Sequence, residues 1–158
     1  ENELKCCVSG SFSKFKPEID LTIEEFEDLG VRILSPDKGW LYVPKPYVLK
    51  LTDKWRPLPS ERKMTLRQIE DSFLRGISNS HFLYVLNLEG YLGISVSMEI
   101  GFAVAKEVPI FSREKVIEEP DLGSPSEEFW RDAIANIKVA TPSEVVKSFR
   151  SKPEAGMI

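Results

Sequence analysis

The residue best placed to do chemistry is Glu99. It stands in the run Gly90–Ala105, G-Y-L-G-I-S-V-S-M-E-I-G-F-A-V-A, just behind Phe82–Leu86. That apolar stretch has the length and composition of a buried strand. Asn87 to Gly93 reads as a polar, glycine-bearing turn, and Ser95 and Ser97 offer N-cap oxygens ahead of an apolar helix. Strand, glycine loop and helix start form the arrangement with which α/β folds hold ligands at the carboxyl ends of their strands. In this reading Glu99 falls in the first helical turn, where the positive end of the macrodipole favours an ionised carboxylate. Such a group can act as a base or as a covalent nucleophile. Spacing alone favours the blander role, a glutamate that only complements the dipole.

A second candidate loop lies near the amino terminus. Leu4–Ser9 is a short apolar strand running into Gly10-Ser11-Phe12. A strand that ends in Gly-Ser ahead of a helix can cradle a phosphate or a base. No G-x-G-x-x-G is present, so on spacing this is an ordinary βα turn. His81, the single histidine, heads the central strand and receives no role. Cys6 and Cys7 are adjacent and cannot staple a fold, and one histidine with one cysteine pair does not make a zinc site.

The segment G-Y-L-G-I-S-V-S-M-E-I-G-F-A, following L-Y-V-L-N, resembles the signature loop and helix of the nucleoside 2-deoxyribosyltransferase-like superfamily. The resemblance extends more weakly over most of the chain. It implies that Glu99 is the nucleophile that attacks the anomeric carbon and releases the base. Relatives use a C-G-S loop to line the nucleotide site, which falls here on Gly10 and Ser11 with Phe12 beside them. Gly93 and Ser95 would hold a 5′-hydroxyl or phosphate, and Asn87 and Tyr91 would line the same loop. Many relatives carry an aspartate four residues before the isoleucine ahead of the central strand. Counting back from Ile77, that position is Phe73, a departure that leaves Asp71 as the nearby substitute. Glu70 and Asp71 otherwise read as surface charges. Relatives often close the active site with a partner subunit, so a homodimer is an expectation, and no metal or redox cofactor is required.

Apolar periodicity supplies the elements that must position these groups. Strands are expected at Leu4–Ser9, Val31–Leu34, Phe82–Leu86, Val108–Phe111 and Val139-Ala140. Helices are expected over Pro17–Leu29, Glu61–Ile77, the Glu99 segment, Glu127–Ile137 and from Thr141 to near Phe149. Asp20 or Thr22 would cap the first helix, Gly30 would stop it, and its many carboxylates would form a solvated face. Thr141-Pro142-Ser143-Glu144 is a strong helix start. Short crossovers force parallel pairing. The expected fold is therefore α/β, a single doubly wound, mainly parallel five-stranded sheet of flavodoxin- or Rossmann-like type. It covers residues 1–150, with an aromatic- and proline-rich flap at 37–60 and a flexible tail at 151–158. The flap holds Trp40, Tyr42, Tyr47 and Trp55, and its prolines break any long regular element. It would either stack on a base, or pack on the domain or form a dimer contact.

Composition narrows the partners. With 158 residues the chain suits one domain with a real core. A net charge of −4 without clustered Lys and Arg argues against a nucleic-acid polymer. No apolar run reaches membrane-spanning length and no signal sequence opens the chain. Cysteine usage points to a reducing compartment, the cytoplasm. The chain opens at Glu1 without methionine, as a trimmed chain or a domain of a longer protein would. The leading expectation is cleavage or transfer of the N-glycosidic bond of a nucleoside or nucleoside 5′-monophosphate. The alternatives are a catalytically inactive nucleotide-sensing module of the same fold and a phosphoribohydrolase-like enzyme. The last uses a loop richer in glycine and threonine than this one.

Overall fold

The computed structural model describes residues 3–44, 47–51, 64–116 and 137–151, with backbone alone for 41–51. The strands are β1 Lys5–Ser9, β2 Arg32–Ser35, β3 Trp40–Pro44, β4 Tyr47–Leu51, β5 Phe82–Val85, β6 Ile110–Ser112 and β7 Lys138–Val139. The helices among the described residues are α1 Phe12–Asp28, α2 Leu66–Ser78, α3 Ile94–Ala105 and α4 Pro142–Arg150. Five strands form one sheet in the order β2-β1-β5-β6-β7, every pair parallel. The expected doubly wound α/β fold is the fold observed. No helix among the described residues is long and apolar enough to cross a membrane.

The near-continuous apolar runs of β1 and β5 follow from burial on both sheet faces. Cys6, Val8, Phe82, Tyr84 and Leu86 pack with Ile19, Ile23 and Phe26 of α1 and Val145 and Val146 of α4. Cys7, Leu83 and Val85 face the other way, onto Phe73 and Ile77 of α2 and Val96, Ile100 and Ala103 of α3. Side chains two apart along a strand share a face, so Ser9 at the end of β1 points with Cys7 towards α2 and α3. That parity brings it to the site.

Packing of α2 on β1 is close. A Cβ on Gly76 would stand 2.8 Å from Cys7 Sγ, and Cys7 is fully buried. Gly76→Ala should therefore destabilise the fold by about 1–3 kcal/mol through overpacking. Urea unfolding checks this, and an unchanged midpoint would refute the contact.

Several boundaries differ from the sequence expectation. The first helix begins at Phe12, five residues before Pro17, because a kink at Phe15 (φ −130°, ψ 21°) accommodates the proline ring inside the helix. Asp20 and Thr22 are consequently interior residues, not caps. Thr22 Oγ1 donates to the Glu18 carbonyl, and Asp20 is fully buried against Lys16 rather than part of the solvated face. Gly30 does end the helix, at φ +83°. The α2 helix starts at Leu66, where Thr65 and Gln68 form a capping box. Pro109 lies outside β6 and contributes only its carbonyl, which accepts from the Leu83 amide at 2.9 Å. The flap holds an antiparallel hairpin, Trp40↔Leu51 to Pro44↔Tyr47. Both strands are short, in keeping with prolines that break any long regular element, and Pro44 closes β3. Trp55, the helix expected over Glu127–Ile137 and the tail beyond Ser151 lie outside the described residues.

Candidate functional site

In this sheet order β1 is flanked by β2 on one side and β5 on the other, so the chain reverses direction across the sheet between β1 and β5. Ligands of open α/β sheets bind at the carboxyl ends of strands at such a switch point. A cavity of about 530 Å³ opens there, within the range of small-molecule sites. It is lined by Gly10, Ser11, Phe12 and Ser13 after β1, by Trp40, by Leu66, Arg67, Ile69 and Glu70 of α2, and by Tyr91, Gly93–Val96, Met98 and Glu99.

Glu99 lies at its inner wall, only 5% exposed. Ser9 Oγ donates a hydrogen bond to Glu99 Oε1. The helix carrying Glu99 is capped by the backbone of Gly93, not by Ser95 or Ser97, and Ser97 Oγ instead donates to the Gly93 carbonyl at 2.9 Å. Glu99 is therefore the sixth helical residue, in the second turn, where the end charge of the macrodipole has faded. The expectation that the dipole holds it ionised is overturned. Burial pushes its carboxyl well above the ordinary value of 4.5, and a hydrogen bond and like charge from Glu70 push the same way, against the Ser9 bond.

Glu70, which the sequence pattern assigned to the surface, lines the cavity beside Glu99. It stands within hydrogen-bonding reach of Glu99, and its Oε2 is buried without a partner among the described residues. Asp71, the expected substitute, points away. It is exposed and makes a loose 3.9 Å ion pair with exposed Arg67. Phe73 is a core residue, 1% exposed. The signal for Glu70 was present in helical spacing, since positions 70, 73 and 77 share a stripe whereas 71 lies beside it.

The structure brings Gly10, Ser11, Phe12, Tyr91, Gly93, Ser95 and Glu99 to the cavity, and leaves Asn87 out. The Asn87 amide is fully buried and clamps the backbone of Glu114, donating to its carbonyl at 2.7 Å and accepting from its amide at 2.9 Å. Tyr91 sits at the rim, 40% exposed, under Lys14 Nζ at 3.9 Å from the ring centroid. His81 accepts from the Lys5 amide at 3.0 Å, a structural contact between strands.

The helix starts divide into two kinds. Those of α2 and α4 open with complete capping boxes, Thr65/Gln68 and Thr141/Glu144. Those of α1 and α3, which line the cavity as the start of α2 also does, have no side-chain cap. Ser11 Oγ faces Ser13 Oγ at 3.3 Å instead of bonding back to the helix. First-turn amides of both helices thus converge on one cavity, where they suit hydroxyl or phosphate oxygens.

No family model matches this chain, and no curated protein does. Among solved structures the chain is similar to one described as a conserved protein from Enterococcus faecalis V583. The TM-score is 0.52 at 15% identity, over 94% of this chain and 98% of that one. The likeness is one of fold.

Proposed function

We propose that the protein cleaves or transfers the N-glycosidic bond of a nucleoside or nucleoside 5′-monophosphate, as an enzyme of the nucleoside 2-deoxyribosyltransferase-like kind. The observation that carries this reading is the buried Glu99 carboxylate, oriented by Ser9 and paired with Glu70 at the wall of the switch-point cavity. Two close carboxylates hold one proton between them more readily than isolated ones. For the attack, the proton that burial holds on Glu99 passes to Glu70, and the ionised Glu99 adds to C1′ of the sugar as the C1′–N bond breaks. The bonding pair leaves on the base nitrogen, and Glu70 protonates the departing base. Charge in the transition state is oxocarbenium-like, so the anionic wall stabilises it as well as supplying the nucleophile. Water then attacks C1′ of the glycosyl-enzyme, giving a proton to Glu70 as the bond from C1′ to Glu99 breaks and its electron pair returns to the carboxylate; in a transferase a second base attacks in place of water. The open starts of α1 and α3 hold the 5′ end of the substrate. A homodimer and a reducing, cytoplasmic setting belong to the same reading, the latter resting on two buried cysteines that are not joined in a disulfide.

The test is chromatographic base release from a panel of nucleosides and their 5′-monophosphates, with and without an acceptor base, beside Glu99→Ala. Release that disappears in the variant supports the reading and names the substrate. Release that survives it refutes the mechanism. The sensing-module alternative draws on Phe73, which stands in the core where relatives place a catalytic-site aspartate. A silent panel together with thermal stabilisation by one nucleotide would favour it.

A further inference from the structure

A fully buried ion pair lies behind one wall of the cavity. Lys16 and Asp20, one helical turn apart on α1, are both 0% exposed, with Nζ 2.5 Å from Asp20 Oδ1. Nζ also donates to the Asp37 carbonyl at 2.9 Å, and Asp20 Oδ2 accepts from the Gly39 amide at 3.3 Å. The cation lies 4.3 Å from the centroid of the Trp40 ring. Trp40, itself 0% exposed, packs edge-to-face on Phe12 with centroids 5.2 Å apart. Lys16 therefore ties α1 to the segment that leads into the β3–β4 hairpin, and through Trp40 it backs Phe12, which lines the site.

An i,i+4 pair on a helix gains little from being buried. Burial raises the Asp20 carboxyl despite the lysine beside it, so desolvation outweighs the attraction. The need for the pair arises in the first turn of α1. Pro17 has no N–H, so the Ser13 carbonyl lacks its helical donor, and the backbone breaks at Phe15. The Ser11–Ser13 turn that faces the cavity keeps the Phe15 amide on the Ser11 carbonyl at 2.7 Å but lacks the bond at Ser13, so it is tied less fully to the helix ladder. Its position depends on packing against Trp40.

We propose that the Lys16–Asp20 pair is a positioning device, which fixes Phe12 through Trp40 as the wall against which a planar heteroaromatic ring stacks. Only the identity of that ring rests on the nucleoside reading above. Replacing a buried pair by apolar residues of similar size is often neutral for stability. A merely structural pair should therefore be dispensable, and a positioning pair should not.

The test compares the full chain with Lys16→Met/Asp20→Leu. Trp40→Leu serves as a second variant that keeps the ions and removes the ring. Amide exchange over 37–40 reads the clamp with no ligand present. Quenching of 2-aminopurine 2′-deoxyriboside, a fluorescent nucleoside, reads stacking. In the double variant we expect faster exchange at 37–40 and probe affinity about tenfold weaker, a stacking-sized loss. KM for the cleaved nucleoside should rise to match, with kcat within about twofold, since Glu99 and Glu70 are untouched. Trp40→Leu should reproduce the affinity loss. Unchanged exchange would overturn the clamp, and faster exchange with unchanged affinity would overturn its positioning role. A wild-type chain that leaves the probe unquenched would overturn the nucleoside reading and the stacking wall, while exchange still decides the clamp.

Discussion

Glu99→Gln should lower base release by at least about 10³-fold, the scale of losing a nucleophile while binding groups remain, and should raise the melting temperature at neutral pH. The amide keeps an oxygen to accept from Ser9 Oγ and the shape of the side chain, but it cannot ionise. The sign of the stability effect follows from the raised carboxyl. A folded state that binds its proton more tightly than the unfolded chain is stabilised by it at low pH. That contribution is fully present below the ordinary value of 4.5 and is lost as pH rises through the elevated folded value. Wild-type stability should therefore fall as pH rises from the ordinary value of 4.5 through the elevated folded one and level off above it, and the variant's should not. Paired thermal melts from pH 4 to 8, with kcat at saturating substrate, check both halves. A variant with full activity would defeat the nucleophile assignment, and parallel melting profiles would defeat the buried-acid argument.

Glu70→Gln should reduce kcat by about 10²-fold, the lower range for losing a positioned general acid, and should move the acid limb of the rate profile to lower pH. Catalysis needs Glu99 ionised, and Glu70 is one of the causes that hold its proton on. Removing that negative charge releases part of the elevation. The larger cause is burial, which the substitution leaves in place, so the limb should stop short of the ordinary carboxylate range. Asp71→Asn is the matched control. Asp71 is exposed and its partner is an exposed arginine 3.9 Å away, so rate and stability should stay near wild type. A pH–rate profile of the three proteins decides between the two carboxylates. An active Glu70→Gln beside an inactive Asp71→Asn would reverse the assignment.

How much of this was legible depends on the range of the interaction that fixes each residue. Alternating apolar strands and amphipathic helices carry their own periodicity, so the parallel sheet could be read from Phe82–Leu86 and its neighbours. The loop and helix around Glu99 were legible for the same reason. Glu70 was legible in principle, because the stripe it shares with Phe73 and Ile77 is a local property of α2. Proximity in sequence to the Phe73 departure drew attention to Asp71 instead. Other features had no local signature. Asn87 is held by a backbone 27 residues further on, and Lys16 is buried by a segment whose approach to α1 no helical pattern announces. The start of α3 was misread because Gly93, without a side-chain oxygen, occupies the cap position that two nearby serines seemed made for.

That last detail bears on how stability is distributed in the molecule. An N-terminal cap contributes about 1 kcal/mol to a helix, and this chain takes that contribution at α2 and α4 while forgoing it at α1 and α3. Both uncapped starts line the cavity, so under the proposed function their donors are left for an occupant to satisfy. Binding and folding are then linked through the same amides, and a saturating occupant adds to global stability by mass action. Natural robustness and ligand affinity compete for one set of N–H groups, which makes these two helix starts the places where a gain in thermal tolerance would be bought with function.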